Sequence, residues 1–260
     1  MSLALIQKLN AMLLAEMPEY RVQATQVAAD AAAQRTLLRA LMNVRPPRPL
    51  SADFLHLQDE LLSFEREQRG VVDVMALPSV SSDACIILWQ GDITRLNADA
   101  IVNAANSALL GCFISCHRCI DNAIHSAAGL QLRAECAALM ERQGHPEETG
   151  RAKITAGYNL PARHVLHTVG PIVSGTLTEE HRKLLASCYR SCLHLAAEHG
   201  LKSVAFCCIS TGEFHFPNAA AAEIAVREVR SFLAHDSTIE RVIFNVFKDE
   251  DRVLYEGLLQ

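Results

Sequence analysis

The chain has 260 residues, of which 50% are hydrophobic and 20% are charged, a balance typical of a folded globular protein. The formal net charge of -5 argues against broad, non-specific binding to DNA or RNA, which requires an excess of lysine and arginine. The length accommodates one large α/β domain, or a catalytic domain of about 180–190 residues with a smaller extension.

The N-terminal residues and the cysteines predict a cellular location. Polar residues interrupt the apolar residues at the N-terminus, so no signal-peptide core is predicted. No apolar run approaches the roughly 18 residues that a membrane span requires. Nine cysteines in such a chain are predicted to be reduced thiols or metal ligands and not disulfides. We therefore expect a cytoplasmic protein without membrane contact.

Helical periodicity dominates the first part of the chain. Apolar residues recur at helical spacing over 3–17 and 21–43. The proline-rich segment 45–49 cannot continue a helix, and Ser51 can cap a third helix after it. We predict that residues 1–70 form a helical N-terminal extension, which contains no obvious chemistry.

From residue 84 onward, short β-rich runs alternate with helical stretches. The predicted strands cover 85–89, 100–102, 152–156, 164–168, 204–209 and 241–247. The predicted helices lie near 118–142, 179–199, 217–235 and 249–259. This alternation predicts a mixed sheet sandwiched between helices in a second domain, residues 71–260.

Small and polar segments follow four of the predicted strands, where open α/β sheets bind their ligands. They are residues 91–94, 103–106, 169–171 and 210–214. The last segment shortly precedes a predicted helix, so its backbone amides could hold a phosphate group. Taken singly, each segment is also compatible with an ordinary turn.

Four potential soft metal ligands lie within the eight residues from Cys112 to Cys119. Thiolate and imidazole are the donors that zinc prefers. Cys112, His117 and Cys119 would form a three-ligand site with an open position, as in a catalytic zinc site, whereas a fourth ligand from Cys116 would close the site into a structural knuckle. Asp121 follows near the start of a helix, where the helix dipole alone also favours a carboxylate.

In order and spacing, four motifs together resemble the macrodomain family over roughly residues 75–258. They are Gly-Asp-Ile-Thr at 91–94, Asn-Ala-Ala-Asn at 103–106, the helix start at 120–125 and Ser-Thr-Gly at 210–212. In place of the family's glycine-rich loop, the chain has Gly-Cys-x4-His-x-Cys from Gly111, and in this it looks like the microbial zinc-dependent subgroup. The resemblance implies a three-layer α/β/α sandwich.

The resemblance also implies a role for each motif. Asp92 would recognise adenine with a backbone contact from Ile93, and the two asparagines would address the distal ribose. The amides of residues 211–214 would cradle the diphosphate. From its position after the last strand, Phe247 is expected to stack on adenine. The predicted ligand-binding residues are Asp92, Ile93, Asn103, Asn106, Ser210, Thr211, Gly212, Glu213, Phe214 and Phe247.

These roles imply a zinc-dependent hydrolase that removes mono-ADP-ribose from modified proteins by cleavage at the anomeric carbon of the distal ribose. Asp121 and Asn106 are the predicted catalytic residues, with Zn2+ polarising an oxygen or activating water. The resemblance makes a lipoyl-carrier protein one candidate for the modified partner. Two alternatives stay open: a non-catalytic reader of ADP-ribose with a structural zinc, and a hydrolase of small ADP-ribose esters.

Overall fold

A computed structural model describes residues 2–260, and its centre is a six-stranded mixed sheet. The strands are β1 Val72–Asp73, β2 Ile86–Gln90, β3 Leu96–Asn97, β4 Ala100–Ala105, β5 Ala152–Ala156, β6 His164–Val169, β7 Ser203–Phe206 and β8 Arg241–Val246. The main sheet has the order β2-β8-β7-β4-β6-β5, in which only β5 is antiparallel to its neighbour. Strands β1 and β3 form a separate parallel pair.

Helices cover both faces of the sheet. They are α1 Leu3–Glu16, α2 Arg21–Ala24, α3 Ala31–Val44, α4 Ala52–Arg69, α5 Ile120–Ala128, α6 Leu130–Gln143, α7 Glu179–Glu198, α8 Asn218–Leu233 and α9 Asp249–Leu258. Helices α7, α8 and α9 pack together as one layer, and α5 with α6 form the other. The predicted three-layer α/β/α sandwich is therefore confirmed. Among residues 2–260, no helix is long and apolar enough to cross a membrane.

The parallel strands explain why the polar segments gather at one edge. Strands β4, β6 and β8 are buried along almost their whole length, as expected for parallel strands covered on both faces. Because β2, β4, β6, β7 and β8 are parallel, their carboxyl ends lie at the same edge of the sheet. The segments that follow these strands therefore line one rim.

The N-terminal helices have an apolar cluster of their own, which includes Leu9, Leu38 and Phe54. Leu130 of α6 belongs to the same cluster, so these helices pack directly on the α5 and α6 layer. Gln58 of α4 strengthens this contact, because its Oε1 accepts a hydrogen bond of 2.9 Å from the Leu130 amide. The division of the chain into two domains at residue 70 stays a prediction.

Two predicted helices are each divided in the structure. The helix predicted over 21–43 is interrupted after α2, because the Asp30 side chain caps a new helix by accepting a hydrogen bond of 2.9 Å from the Ala33 amide. The helix predicted near 118–142 divides at Gly129, whose φ of 96° lies in the region that favours glycine. Residues 25–30 therefore separate the first pair of helices, whereas Gly129 alone separates the second pair.

Candidate active site

Cys112, His117 and Cys119 converge at the rim of the sheet. Their potential ligand atoms all lie within 4.8 Å of one another, and all three residues are partly exposed. The Sγ of Cys112 lies 3.6 Å from Nδ1 of His117. Sulfur and nitrogen ligands about 2.3 Å and about 2.05 Å from a tetrahedral zinc ion are themselves about 3.6 Å apart. The donor types and this separation therefore fit a zinc ion.

Cys116 points away from these three residues. Its Sγ lies 3.7 Å from the carbonyl oxygen of Thr36 in α3, and its amide donates a hydrogen bond of 2.9 Å to Oδ1 of Asn43. Its φ of 51° is left-handed, which turns the chain between Cys112 and His117. The geometry favours three protein ligands and one open position over a closed four-ligand knuckle. We call residues 112–119 the metal loop.

The segment that leads into the metal loop is held by side chains on both sides. Asn106, a predicted catalytic residue, accepts from the Ala108 amide at 3.0 Å and donates to the Gly111 carbonyl at 3.1 Å. Arg133 of α6 donates from Nε to the Leu110 carbonyl at 2.7 Å. The carboxamide of Asn106 thus shapes the turn in front of Cys112, which is a positioning role.

Asp121 lies in the first turn of α5 and is almost completely buried. Burial raises the pKa of its carboxyl group to about 6, although the hydrogen bond from Asn103 and the charge of Arg133 act in the opposite direction. Nδ2 of Asn103 donates to Oδ1 of Asp121 at 2.8 Å. The carboxylate is therefore held in place from the sheet side, two residues after Cys119.

The structure places Asn103 differently from the sequence-based expectation of a ribose contact. Its side chain has no exposed surface and contacts Asp121 and Nδ1 of His167, the latter at 3.1 Å. The physical reason is that β4 lies between β6 and β7 in the middle of the sheet and is covered by α5. Asn103 positions Asp121 and does not line the cleft.

Cys119 combines a structural and a chemical role. Its Sγ caps α5 by accepting a hydrogen bond of 3.4 Å from the Asn122 amide. Burial, together with the nearby Cys112 and Asp121, raises the pKa of the Cys119 thiol to about 12. A cation between the sulfur atoms would offset this cost, because a coordinating thiol loses its proton to the metal.

The 210–216 loop presents unpaired amides at the same rim. Within residues 2–260, the amides of Gly212, Glu213 and Phe214 have no hydrogen-bond partner, whereas the Thr211 amide lies 3.4 Å from the Cys208 carbonyl. Such consecutive free donors form an anion-binding concavity. The diphosphate contact predicted for the amides of residues 211–214 stays a prediction, and the free amides among them are those of 212–214.

Ser210, also a predicted ligand-binding residue, starts this loop with a left-handed φ of 65°. Its Oγ is buried and has no hydrogen-bond partner within the described chain. Gly170, which follows β6, approaches it so closely that a Cβ at residue 170 would lie 2.0 Å from this oxygen. The segments after β6 and β7, the two strands on either side of β4, thus touch through a glycine.

Asp92 and Phe247 follow the paired strands β2 and β8. Oδ1 of Asp92 caps the short 3-10 helix Ile93–Arg95 by accepting from the amide and the hydroxyl of Thr94, at 3.0 and 2.7 Å. Its Oδ2 lies 3.7 Å from Nη1 of Arg69 in α4. The Ile93 side chain is buried, whereas Phe247 is 75% exposed. An open aromatic surface and a carboxylate therefore lie at adjacent strand ends.

The metal loop and the 210–216 loop meet across the rim. Oε1 of Glu213 lies 3.6 Å from Nε2 of His117, the ring nitrogen that is not directed at Cys112. The structure thus brings the soft ligands and the free amides into one cleft.

Sequence reasoning missed several side chains behind this cleft. Arg39 and Asn43 of α3 and Arg133 of α6 donate to or accept from the metal loop and the residues beside it. Each is one of several polar residues on its helix, so no local pattern singles it out. His125 and His167 are buried beside Asp121 and Asn103, and burial lowers the pKa of both.

The fold is a mixed α/β/α sandwich whose rim carries free backbone amides, which can bind an anion, beside a cluster of soft ligands that could hold a metal ion. The Macro domain family model matches residues 102–225. Together with the relatives described next, this match shows that the chain belongs to the macrodomain family.

The chain is similar to two hydrolases and to one macrodomain of known structure. The chain is 51% identical over 249 residues to a protein-ADP-ribose hydrolase of Treponema medium, with 95% of each chain covered. It is 51% identical over 221 residues to a protein-ADP-ribose hydrolase of Staphylococcus aureus strain MSSA476, covering 85% of this chain and 82% of that one. The Trypanosoma brucei macrodomain in complex with ADP-ribose superposes with a TM-score of 0.67 at 35% identity, covering 82% of this chain and 92% of that one.

Proposed function

We propose that the chain is a zinc-dependent hydrolase that removes mono-ADP-ribose from modified proteins. The observation that carries the proposal is the convergence of Cys112, His117 and Cys119 in the cleft that also presents the free amides of 212–214. The relatives named protein-ADP-ribose hydrolases support the substrate class and the reaction.

The order of the groups along the rim supports one orientation of ADP-ribose. Asp92 and Phe247 offer a hydrogen-bonding carboxylate and an aromatic surface for adenine. The amides of 212–214 offer donors for the diphosphate. Because Glu213 of this loop contacts His117, the distal ribose beyond the diphosphate would point toward the metal loop.

In the proposed reaction, the bond between the anomeric carbon of the distal ribose and the modified side chain breaks, and a bond to a water oxygen forms. The side chain leaves with the bonding electron pair and takes up a proton in place of the one that the water loses. When bound, zinc supplies Lewis-acid chemistry at an oxygen atom. Burial raises the pKa of the Asp121 carboxyl group toward neutrality, which suits a proton acceptor, and Asn103 fixes its orientation. We assign Asp121 the tasks of orienting the attacking water and accepting its proton.

Substitution Cys119→Ser tests the proposal. Serine keeps an oxygen that can cap α5 but is a poor zinc ligand, so we expect loss of hydrolysis with ADP-ribose affinity retained. Turnover of a mono-ADP-ribosylated protein, with zinc and with a chelator, and calorimetric titration with ADP-ribose provide the two measurements. Cys116→Ser is the matched control, because its Sγ points to Thr36 and both properties should be unchanged.

The same measurements separate the alternatives. Turnover that persists in the chelator would exclude zinc from the reaction. ADP-ribose binding without turnover on any substrate would indicate a reader with a structural zinc. Faster turnover of small ADP-ribose esters than of modified protein would identify those esters as the substrate.

We propose a mono-ADP-ribosylated protein as the partner, with a lipoyl-carrier protein as the candidate that the family resemblance implies. A cytoplasmic location is proposed with it. All nine cysteines are free thiols, which supports a reducing compartment.

A further inference from the structure

We infer that helix α3 of the N-terminal extension is a part of the metal site, in which Arg39 and Asn43 are positioning residues for the metal loop. The inference deepens the proposed function and rests on its zinc site. The N-terminal helices contain no ligand of their own for the metal in the cleft. The inference gives them a function there, which is to hold the loop that carries the ligands.

Arg39 holds the metal loop from α3. Its Nη2 donates hydrogen bonds to the carbonyl oxygen of His117 at 3.2 Å and to Oδ1 of Asn122 at 2.8 Å. Asn122 in turn donates from Nδ2 to the Ile114 carbonyl at 3.1 Å. The guanidinium group of Arg39 thus restrains the metal loop directly at His117 and, through Asn122, indirectly at Ile114. The backbone orientation of His117 decides where its imidazole ring points.

Asn43, one helical turn further along α3, holds the turn in the middle of the loop. It is buried, accepts from the Cys116 amide at 2.9 Å and donates to Oγ of Ser126 at 3.0 Å. A left-handed conformation is unfavourable for a residue other than glycine, and Cys116 has a φ of 51°. The bond from its amide to Asn43 offsets this cost and stabilises the turn that returns His117 toward Cys112.

Helix α3 can act as a rigid support because its opposite side is packed. Leu38 and Leu41 are buried in the apolar cluster of the N-terminal helices. At the carboxyl end of α3, Arg133 donates from Nη1 to the carbonyl oxygens of Met42 at 2.9 Å and Arg45 at 2.6 Å. The same guanidinium holds the segment before the metal loop through its Nε, so α3 and the loop share one anchor.

The test uses the full chain with zinc bound and the variant Arg39→Met. Arg35→Met is the matched control, because Arg35 lies on the same helix but pairs with Glu65 of α4. Zinc affinity is measured by competition with a chromophoric chelator, and the Co2+-substituted protein is examined by visible absorption. ADP-ribose titration shows whether the cleft is intact.

We expect Arg39→Met to bind zinc roughly 10- to 100-fold more weakly and to change the Co2+ spectrum, as is typical when a group that orients a metal ligand is removed. Arg39→Lys should be intermediate, since lysine keeps a charged donor. Arg35→Met should match the unsubstituted protein in both readouts.

Equal zinc affinity in Arg39→Met and Arg35→Met would overturn the inference and leave the proposed function standing. Failure of the unsubstituted protein to bind zinc would instead overturn the proposed function. Should Arg39→Met not fold, Asn43→Ala decides by the same readouts, with weaker zinc binding supporting the inference and unchanged binding overturning it.

Discussion

Because Gly170 lies so close to Ser210, a side chain at residue 170 should cause a packing defect that a second substitution, at residue 210, partly corrects. A Cβ at residue 170 would lie 2.0 Å from Oγ of Ser210 and 2.9 Å from Cγ2 of Ile209, where ordinary contact begins at 3.4 Å. The Ser210 side chain is buried, so it cannot move aside without shifting its loop. We expect Gly170→Ala to lower the free energy of unfolding by about 1–3 kcal/mol. ADP-ribose affinity should fall with it, because the same loop presents the amides of 212–214.

Ser210→Gly should partly correct this defect. Glycine removes the hydroxyl oxygen and suits the φ of 65° at residue 210. The contact with Ile209 remains, so recovery in the double variant should be incomplete, with a coupling energy of about 1–2 kcal/mol. Urea unfolding and ADP-ribose titration of the four proteins complete the cycle. Purely additive losses would refute the reasoning.

Three further predictions concern the cleft and the buried residues behind it. Burial lowers the pKa of His167 from 6.5 to about 3. Below pH 6.5 the unfolded chain binds a proton at this histidine that the folded chain does not, so the free energy of unfolding falls by up to about 5 kcal/mol as the pH falls toward 3. Urea unfolding of His167→Gln should show a flatter pH dependence there, and an unchanged slope would contradict this. Phe247→Ala should weaken ADP-ribose binding about 2- to 10-fold in a calorimetric titration, with unfolding unaffected because the ring is exposed. Glu213→Gln should weaken zinc binding about tenfold in a chelator competition, whereas the exposed Glu223→Gln should not.

Much of the fold could be predicted from the sequence because its signals are local. The strand predicted over 152–156 is β5 of the structure, Ala152–Ala156, and the helix predicted at 179–199 is α7 within one residue. Buried parallel strands are short apolar runs bounded by turn residues, and the helices between them have a repeating apolar face. The division of two predicted helices was not predicted, because a capping residue is a weak signal within a long apolar pattern.

The soft ligands of the candidate site were also a local signal. Cys112, His117 and Cys119 lie so close in sequence that a compact loop brings them together. The contacts around these ligands were harder to predict. Asn103 belongs to the Asn-Ala-Ala-Asn motif, yet its side chain is buried against Asp121 and does not face the cleft. A motif identifies the residue, but the packing around its strand decides which neighbour the side chain contacts.

By itself, the sequence determined the alternation of strands and helices, the polar rim and the spacing of three candidate metal ligands. Only the tertiary structure decided that Cys116 turns away from the other ligands and that Arg39 and Asn43 of a helix more than seventy residues earlier in the chain hold the metal loop. The physical reason is that hydrogen bonds between distant segments form after helices and sheet have packed, and a single polar side chain that makes them has no periodic pattern in the sequence.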